Sequence, residues 1–561
     1  LPTFPCSEEY EAASPTSTEP LDWDQPVQFI LSLIGYSVGL GSIWRFPYIV
    51  MINGGGAFLV PYLIFLLFCG IPFCYMEFTL GQFTGLKDTA PPMSSACNGC
   101  DAIAGVGWSM LLVSGVLCIY YNIIMAWVIF YFMHSFQWQL PWISCNNSWN
   151  TPTCFSYTQT VVDIVLLRWK MWSGLRCSTL EFWNHRVLEI SASIDEVGGV
   201  NWNLFGCMLA AWVVTFMCLF KGIKSSGKVV YVSALAPYVF LTVLVIRGVT
   251  LPGASIGLQF YLKPHWQQLK SVKVWLAAVQ VFYSLGPAWG GLITMSSYNQ
   301  VMPTHAFFRD AVILSVVCGG TNIFCGLAVF SVTGHMAYQT RSKSVTSLML
   351  TGPGLAFIAY PEALGQIPGA AIWTVLFFAM LFTLGLDSQV KYQLEFAFLF
   401  QAGVYFFQIF DWYGTPISIS IIATLEVIAL SYFYGGRRLF TNAETMLGPR
   451  AKLTRIVWVS IWYIVTPCFT FFIFVTIILD YTPPKFNNGQ PFPQWATIAG
   501  WCLASISLIP IPLLALMETY RNRHNLEERV SRQGTSIEIS FLVFSCLDRH
   551  ESGRRRVNGA V

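Results

Sequence analysis

Charge is what this sequence has least of. Only 11% of its 561 residues are Asp, Glu, Lys or Arg, against about 25% in ordinary soluble domains. So little charge excludes a water-soluble globule. Marks of catalysis are missing as well: the chain has no HExxH, no GxSxG turn and no P-loop, and its 7 histidines are scattered. Zinc hydrolysis, a serine nucleophile on an elbow and a phosphate cradle therefore have no foothold, and the chain reads as no enzyme. No cluster of Lys and Arg forms a nucleic-acid face, and the formal net charge is +3. The opening residues, LPTFPCSEEYEAASPTSTEPLDWD, lack the basic-then-apolar pattern of a signal peptide. Their Pro, Ser and Thr content reads as a disordered stretch over 1–22.

What is present is apolar. Hydrophobic residues make up 55% of the chain, and windows of about 20 of them, enough to span a bilayer, recur along it. Spans are expected near 27–50, 57–81, 104–134, 204–220, 229–247, 274–295, 310–337, 370–388, 403–434, 455–479 and 495–518. The fold class is an all-α polytopic membrane protein, with a transporter-sized unit over 23–518 and a polar tail over 519–561. Positive charge marks cytoplasmic loops. Lys221, Lys224 and Lys228 fall between two spans, and Arg437, Arg438, Arg450, Lys452 and Arg455 between two later ones. Both sets fit cytoplasmic termini, with the loops 136–202 and 345–368 outside.

Most of the 16 cysteines lie in apolar windows, where they serve as small hydrophobes. Cys145 and Cys154 differ: they flank a polar segment, CNNSWNTPTC, with a glycosylation sequon at Asn146. An extracellular setting would let them bridge.

Two apolar stretches are interrupted. In FILSLIGYSVGLGSIWRFPYIVMINGGGAFLVP, Gly35, Gly39 and Gly41 crowd the middle beside Tyr36, Ser37 and Ser42, and Arg45 follows. Glycine costs a helix about 0.8–1.0 kcal/mol relative to Ala, so a broken helix is expected. Unwound backbone inside a bilayer is tolerated only when buried in protein or lining a cavity, where its free N–H and C=O groups can hold an anion or a cation. The alternative is a packing face, with Gly35 and Gly39 spaced for helix dimerisation. The second stretch, VWLAAVQVFYSLGPAWGGLITMSSY, is cut by Gly286-Pro287 and Gly290-Gly291; its alternative is a simple proline kink. Paired interruptions are a sequence pointer to a transporter site between repeats.

The run VGLGSIWRFPYI…NGGGAFLVPY resembles the first helix of the sodium- and chloride-dependent neurotransmitter and amino-acid symporters. The resemblance runs from about Trp23 to Gln389 and from Gln401 to about Pro512. FKGIKSSGKVVY, RGVTLPGA, FYSLGPAWGGLITMSSYN, AFIAYPEAL and LFTLGLDSQ look most like the glycine and proline transporter branch. It implies an inverted-repeat fold with broken first and sixth helices, and sodium-driven alternating access with chloride co-transported and no organic cofactor. Gly39 stands where monoamine transporters carry Asp, which implies a substrate bringing its own carboxylate, a small neutral amino acid such as glycine or proline. A similar cysteine pair in the family supports the Cys145–Cys154 bridge.

Carried over position by position, the resemblance assigns the substrate carboxylate to the N–H groups at Leu40 and Gly41 and to the Tyr121 hydroxyl. Gly39, Phe282, Tyr283, Gly286 and Trp289 would shape the side-chain pocket. One sodium would use the carbonyls of Gly35, Val38 and Leu384 with Asp387 and Ser388. The other would use Ser37, Ser42 and Ser284, with Cys318 where an asparagine is expected, so this site is expected to be weak or absent. Chloride would meet Tyr75, Gln280, Ser284 and Asn322. Arg45 and Asp411 match the outer gate.

Two parts of the pattern are missing. No arginine precedes Trp23 to form the inner gate. After LGLDSQ the chain passes almost at once to QAGVYF, so about half of the eighth helix and most of the ninth are absent around 389–401. Either a hairpin forms there or an exon is omitted, and the second reading is preferred. These losses leave an alternative function, a degenerate member that no longer transports and serves as a membrane binding or regulatory partner.

Overall fold

The computed structural model describes residues 26–85, 101–156, 176–219, 229–275, 277–299, 307–339, 354–388, 399–479 and 491–521. The N-terminal stretch, Trp23, the lysines at 221, 224 and 228, most of the 389–401 junction and nearly all of the tail lie outside them. The apolar windows form helices, which satisfy every internal backbone group without water. In chain order these are α1 (Pro26–Ser37), α2 (Gly41–Ile52), α3 (Gly56–Thr84), α4 (Asp101–His134), α5 (Trp202–Leu219) and α6 (Val229–Val249). Next come α7 (Ala277–Leu285), α8 (Gly291–Ser297), α9 (Phe307–Gln339) and α10 (Ala370–Ser388). The chain ends in α11 (Gly403–Phe433), α12 (Lys452–Leu479), α13 (Gln494–Leu508) and α14 (Pro510–Arg521). Every expected span coincides with a helix or a helix pair. Residues 495–518, expected as one span, are bent by 45° between α13 and α14, where Pro510 has no N–H to continue the ladder.

Glycines let the central helices approach. A Cβ on Gly81 of α3 would lie 2.2 Å from the Ile293 carbonyl of α8, and one on Gly257 1.9 Å from the Phe330 carbonyl of α9. With lipid as apolar as leucine, such close backbone packing is a main source of helix association. It holds α3 against the second interrupted helix, and α9 against the helix Ala254–Leu262.

The loop that follows α4 carries the Cys145–Cys154 disulfide, with Asn146 exposed beside it. A short parallel pairing joins Cys154–Phe155 to Arg176–Cys177, and the buried Glu181 accepts the Thr151 N–H at 2.8 Å. Closing so short a loop, with a separation of 9 residues, is worth about 2–3 kcal/mol by chain entropy. Replacing both cysteines by serine is therefore expected to lower the melting temperature and the surface abundance, which a thermal scan and surface biotinylation would measure.

The two sides of the shortened junction are placed, while residues 389–398 lie outside the described residues. Leu399 accepts the Asn201 N–H at 2.9 Å, Phe400 pairs with Val200, and the Tyr405 hydroxyl donates to Ser191 O. The start of α11 thus lies at the loop that precedes α5. The start of α10 lies at the same end, where Arg247 at the end of α6 faces Trp373. The chain therefore enters along α10 and is back at its starting face by Leu399. The two readings of this junction, a hairpin and an omitted exon, concern residues 389–398, which lie outside the described residues. The placement of Leu399 starts α11 at the face where α10 starts. It leaves Arg437, Arg438, Arg450, Lys452 and Arg455 at the opposite end of α11.

Candidate substrate and ion site

The first break lies where the glycines crowd. Helical bonding in α1 ends with Val38 N–H on Ile34 O at 2.7 Å, and resumes with Ser42 N–H on Gly39 O at 3.1 Å. The two halves are bent by 47°. The first N–H groups of a helix have no partner within it, so the start of α2 offers the amides near Leu40 and Gly41. A Cβ on Gly41 would meet nothing within 4 Å: there is open space beside this turn. The second break spans residues 286–290, with positive φ at Gly286 (74°), Ala288 (63°) and Gly290 (79°).

The breaks face each other. Ser37 Oγ donates to Leu285 O at 2.8 Å, and the Tyr36 ring lies so close that a Cβ on Gly286 would sit 2.7 Å from it and one on Gly291 2.4 Å. Neighbouring helices hold the unwound segment. Glu77 of α3 accepts the Ala288 N–H at 2.7 Å, and Ser114 of α4 donates to Trp289 O at 2.8 Å. Glu77 is fully buried, with Glu426 of α11 alongside, equally buried.

The expected gate residues come together beside the breaks. Arg45 Nη1 donates to Asp411 Oδ1 at 3.2 Å, and its guanidinium lies 3.8 Å from the Tyr283 ring centroid. Tyr283 also bonds Thr415 and lies edge-on to Trp289, with ring centroids 6.0 Å apart. Phe282 is buried on α7, and Tyr121 lies half-buried on α4.

Around the sodium positions, Gly35, Val38 and Leu384 are buried. α10 lies against the first break: a Cβ on Gly385 would stand 3.4 Å from the Leu40 side chain. Asp387 and Ser388 fall in the last turn of α10, and their side chains lie outside the described residues. At the other position Ser37, Ser42 and Ser284 are buried, and so is Cys318. The thiol donates to Ser284 O at 2.8 Å and points to Ser37 O at 3.8 Å.

The structure does not bring one residue expected at the chloride position, Tyr75, beside Ser284 and Asn322. Tyr75 lies among Phe307, Phe308, Trp458 and Trp462, with ring centroids 5.0–5.7 Å away. The phenol beside Ser284 and Asn322 is Tyr62, which Asn322 Nδ2 reaches at 2.7 Å. Both tyrosines lie on α3, and thirteen residues of helix separate their directions by about 140°. A stretch of wider helix at Leu66–Gly70 shifts the phase again. Sequence reasoning also passed over Glu77 and Ser114. An acid inside an apolar span is a functional candidate by default, and that rule points to Glu77 and Glu426 alike.

Two discontinuous helices, face to face and clamped by their neighbours, make the site of a secondary transporter. The chain belongs to the Sodium:neurotransmitter symporter family, whose profile matches residues 21–395 and 390–522. It is 36% identical over 570 residues to the human sodium- and chloride-dependent neutral and basic amino acid transporter B(0+), covering 91% of this chain and 87% of that protein. It is 38% identical over 592 residues to the Xenopus laevis sodium- and chloride-dependent glycine transporter 1, covering 95% and 89%. The creatine transporter of Torpedo marmorata matches at 35% over 554 residues, covering 92% and 88%. Members of the family are multi-pass plasma-membrane transporters, not enzymes; they couple their substrate to sodium and chloride and need no organic cofactor.

Proposed function

We propose that this chain carries a small neutral amino acid into the cell on the sodium gradient, by alternating access. The observation that carries the reading is the pair of facing breaks joined by Ser37 Oγ on Leu285 O at 2.8 Å. Open space at Gly41 supports a small solute there, with its carboxylate on the first amides of α2 and on Tyr121. Gly39 leaves that carboxylate unopposed, and Trp289 beside Tyr283 limits the side chain. The named substrates of the relatives, glycine, neutral and basic amino acids and creatine, share a carboxylate, which supports the class above any one member. Closing the Arg45–Asp411 gate and rocking the broken helices would pass the solute inward, with basic residues 437–455 and both termini on the cytoplasmic side.

Sodium coupling rests on Gly35, Val38, Leu384, Asp387 and Ser388. The second cation position is weaker, because a thiol is a poor ligand for a hard cation and Cys318 bonds the carbonyl the ion would need. The sodium dependence of uptake is expected to have a Hill coefficient near one, and a value near two would sink this part of the reading. Cells expressing the chain would be given labelled glycine, proline and creatine in sodium or choline medium. Sodium-dependent uptake of glycine or proline supports the proposal. The shortened junction after Ser388 favours a second reading, a member that binds without transporting; sodium-dependent binding with no uptake would select it.

A further inference from the structure

We propose that Glu362 is a proton-binding site between the outer loops. When external acid neutralises it, it latches the loop helix Leu355–Gly365 to the short helix Ser178–Glu181. This rests on the proposed orientation, with loops 136–202 and 345–368 outside, and its effect on uptake rests on the reading of the chain as a symporter. Glu362 is 7% exposed. Thr179 Oγ1 donates to its Oε2, and Gln366 Nε2 lies 3.4 Å from its Oε1. The same loop helix reaches inward. The Phe357 ring stacks on Trp183 with centroids 5.1 Å apart and lies 6.2 Å from Trp44, the neighbour of Arg45. One part of this helix therefore lies against α2 beside the gate pair, and another is held to the short helix by Glu362.

A buried carboxylate needs a cation beside it. Among the described residues no Lys, Arg or His forms an ion pair with Glu362. The titratable groups packed around it do not supply one. On the side of the short helix, Glu181 accepts from Asn150 and Thr151, and the Cys177 thiol lies 3.5 Å from Thr179. Arg176 is exposed, and Arg186 lies over Trp149. α9 brings Tyr338 and His335, the latter bonded to Pro252 O and Gln339. α4 brings Tyr131, which donates to Phe357 O, and His134, bonded to Phe130 O. α2 brings Tyr48 and Arg45, which is bonded to Asp411. α10 carries no titratable side chain before Asp387. Burial pushes the Glu362 carboxyl up to about 7, and the hydrogen bonds from Thr179 and Gln366 hold it back. Once the loop helix lifts and water reaches the group, the ordinary value of about 4.3 returns. A carboxyl raised in the closed contact favours that contact when neutral. The contact thus gains stability as the external pH falls from about 7 toward about 4.3, and above that window pH no longer changes it. The neutral acid keeps its place, since the Thr179 hydroxyl accepts as well as donates. External acid then holds the loop helix over α2, and solute enters less often.

The test is thermal unfolding of the purified full chain in detergent at about pH 7.5 and about pH 5.5, beside Glu362→Gln, whose amide is neutral throughout. Glu362→Gln is expected to melt higher than the wild type at the higher pH, and the gap is expected to close at the lower. Thr179→Val removes a donor to the charged form and is expected to move the wild type's pH midpoint upward. His335→Gln is expected to leave that midpoint where it is. In cells, acidifying the medium from about pH 7.5 to about pH 6 is expected to cut initial glycine or proline uptake by about twofold or more, with Glu362→Gln slow at both. An equal melting gap at both pH values would overturn the proposal, and so would a pH dependence that His335→Gln abolishes. The melting comparison needs no turnover. A chain that showed no sodium-driven uptake would count against the proposed function, while the gap between wild type and Glu362→Gln would still decide the role of Glu362.

Discussion

Gly39→Asp is expected to cut sodium-driven amino-acid uptake by at least ~10²-fold while leaving the protein at the cell surface. Gly39 lies in the unwound turn between α1 and α2, beside the amides proposed to hold the substrate carboxylate. A second carboxylate about 4 Å away would repel it by about 4 kcal/mol at an effective dielectric constant near 20. Gly39→Ala separates charge from bulk: it adds a methyl group without charge and is expected to lose much less. Initial uptake rates at saturating sodium, normalised to surface protein, measure both. Equal losses in the two variants would show that size, not charge, governs this position.

Gly286→Ala is expected to lower uptake by at least tenfold. Its φ of 74° lies in the left-handed region, which costs an L-residue about 1–2 kcal/mol. The added Cβ would also stand 2.7 Å from the Tyr36 ring, pushing the first break away from the second. Gly115→Ala on α4 is the comparison. A Cβ there would meet nothing within 4 Å, so its uptake is expected to stay within about twofold of wild type, as usual for substitutions away from special features. Surface labelling separates a transport defect from loss of the fold.

Both breaks were marked in the sequence because glycine and proline act locally, although a packing face and a proline kink fitted the same residues until the resemblance was added. Glycine and proline weaken a helix wherever they stand, and their grouping at 35–41 and 286–291 needs no tertiary context. The gate pair was legible only through the resemblance, which implies that Arg45 and Asp411 face each other, as they do at 3.2 Å. That Tyr62 and not Tyr75 stands beside Asn322 was not legible, since two tyrosines on one long helix differ only in phase, and the wider turn at Leu66–Gly70 makes that phase unreadable from spacing. The placement of Leu399 and Phe400 at the loop before α5 was equally hidden. Composition shows that a stretch is short, whereas pairing of Leu399 and Phe400 with Asn201 and Val200 depends on residues about two hundred positions away. Glu77 could have been found, because an acid at the centre of an apolar span is a signal in itself.

Sodium coupling through the facing breaks is the central claim, and accumulation in proteoliposomes tests it most directly. The purified chain would be reconstituted, and labelled glycine and proline followed with an inward sodium gradient, with equal sodium on both sides, and with the gradient in Asp387→Ala. The account predicts accumulation above the outside concentration only with the gradient, and its loss in Asp387→Ala. No accumulation in any condition, or accumulation indifferent to the gradient, would contradict it.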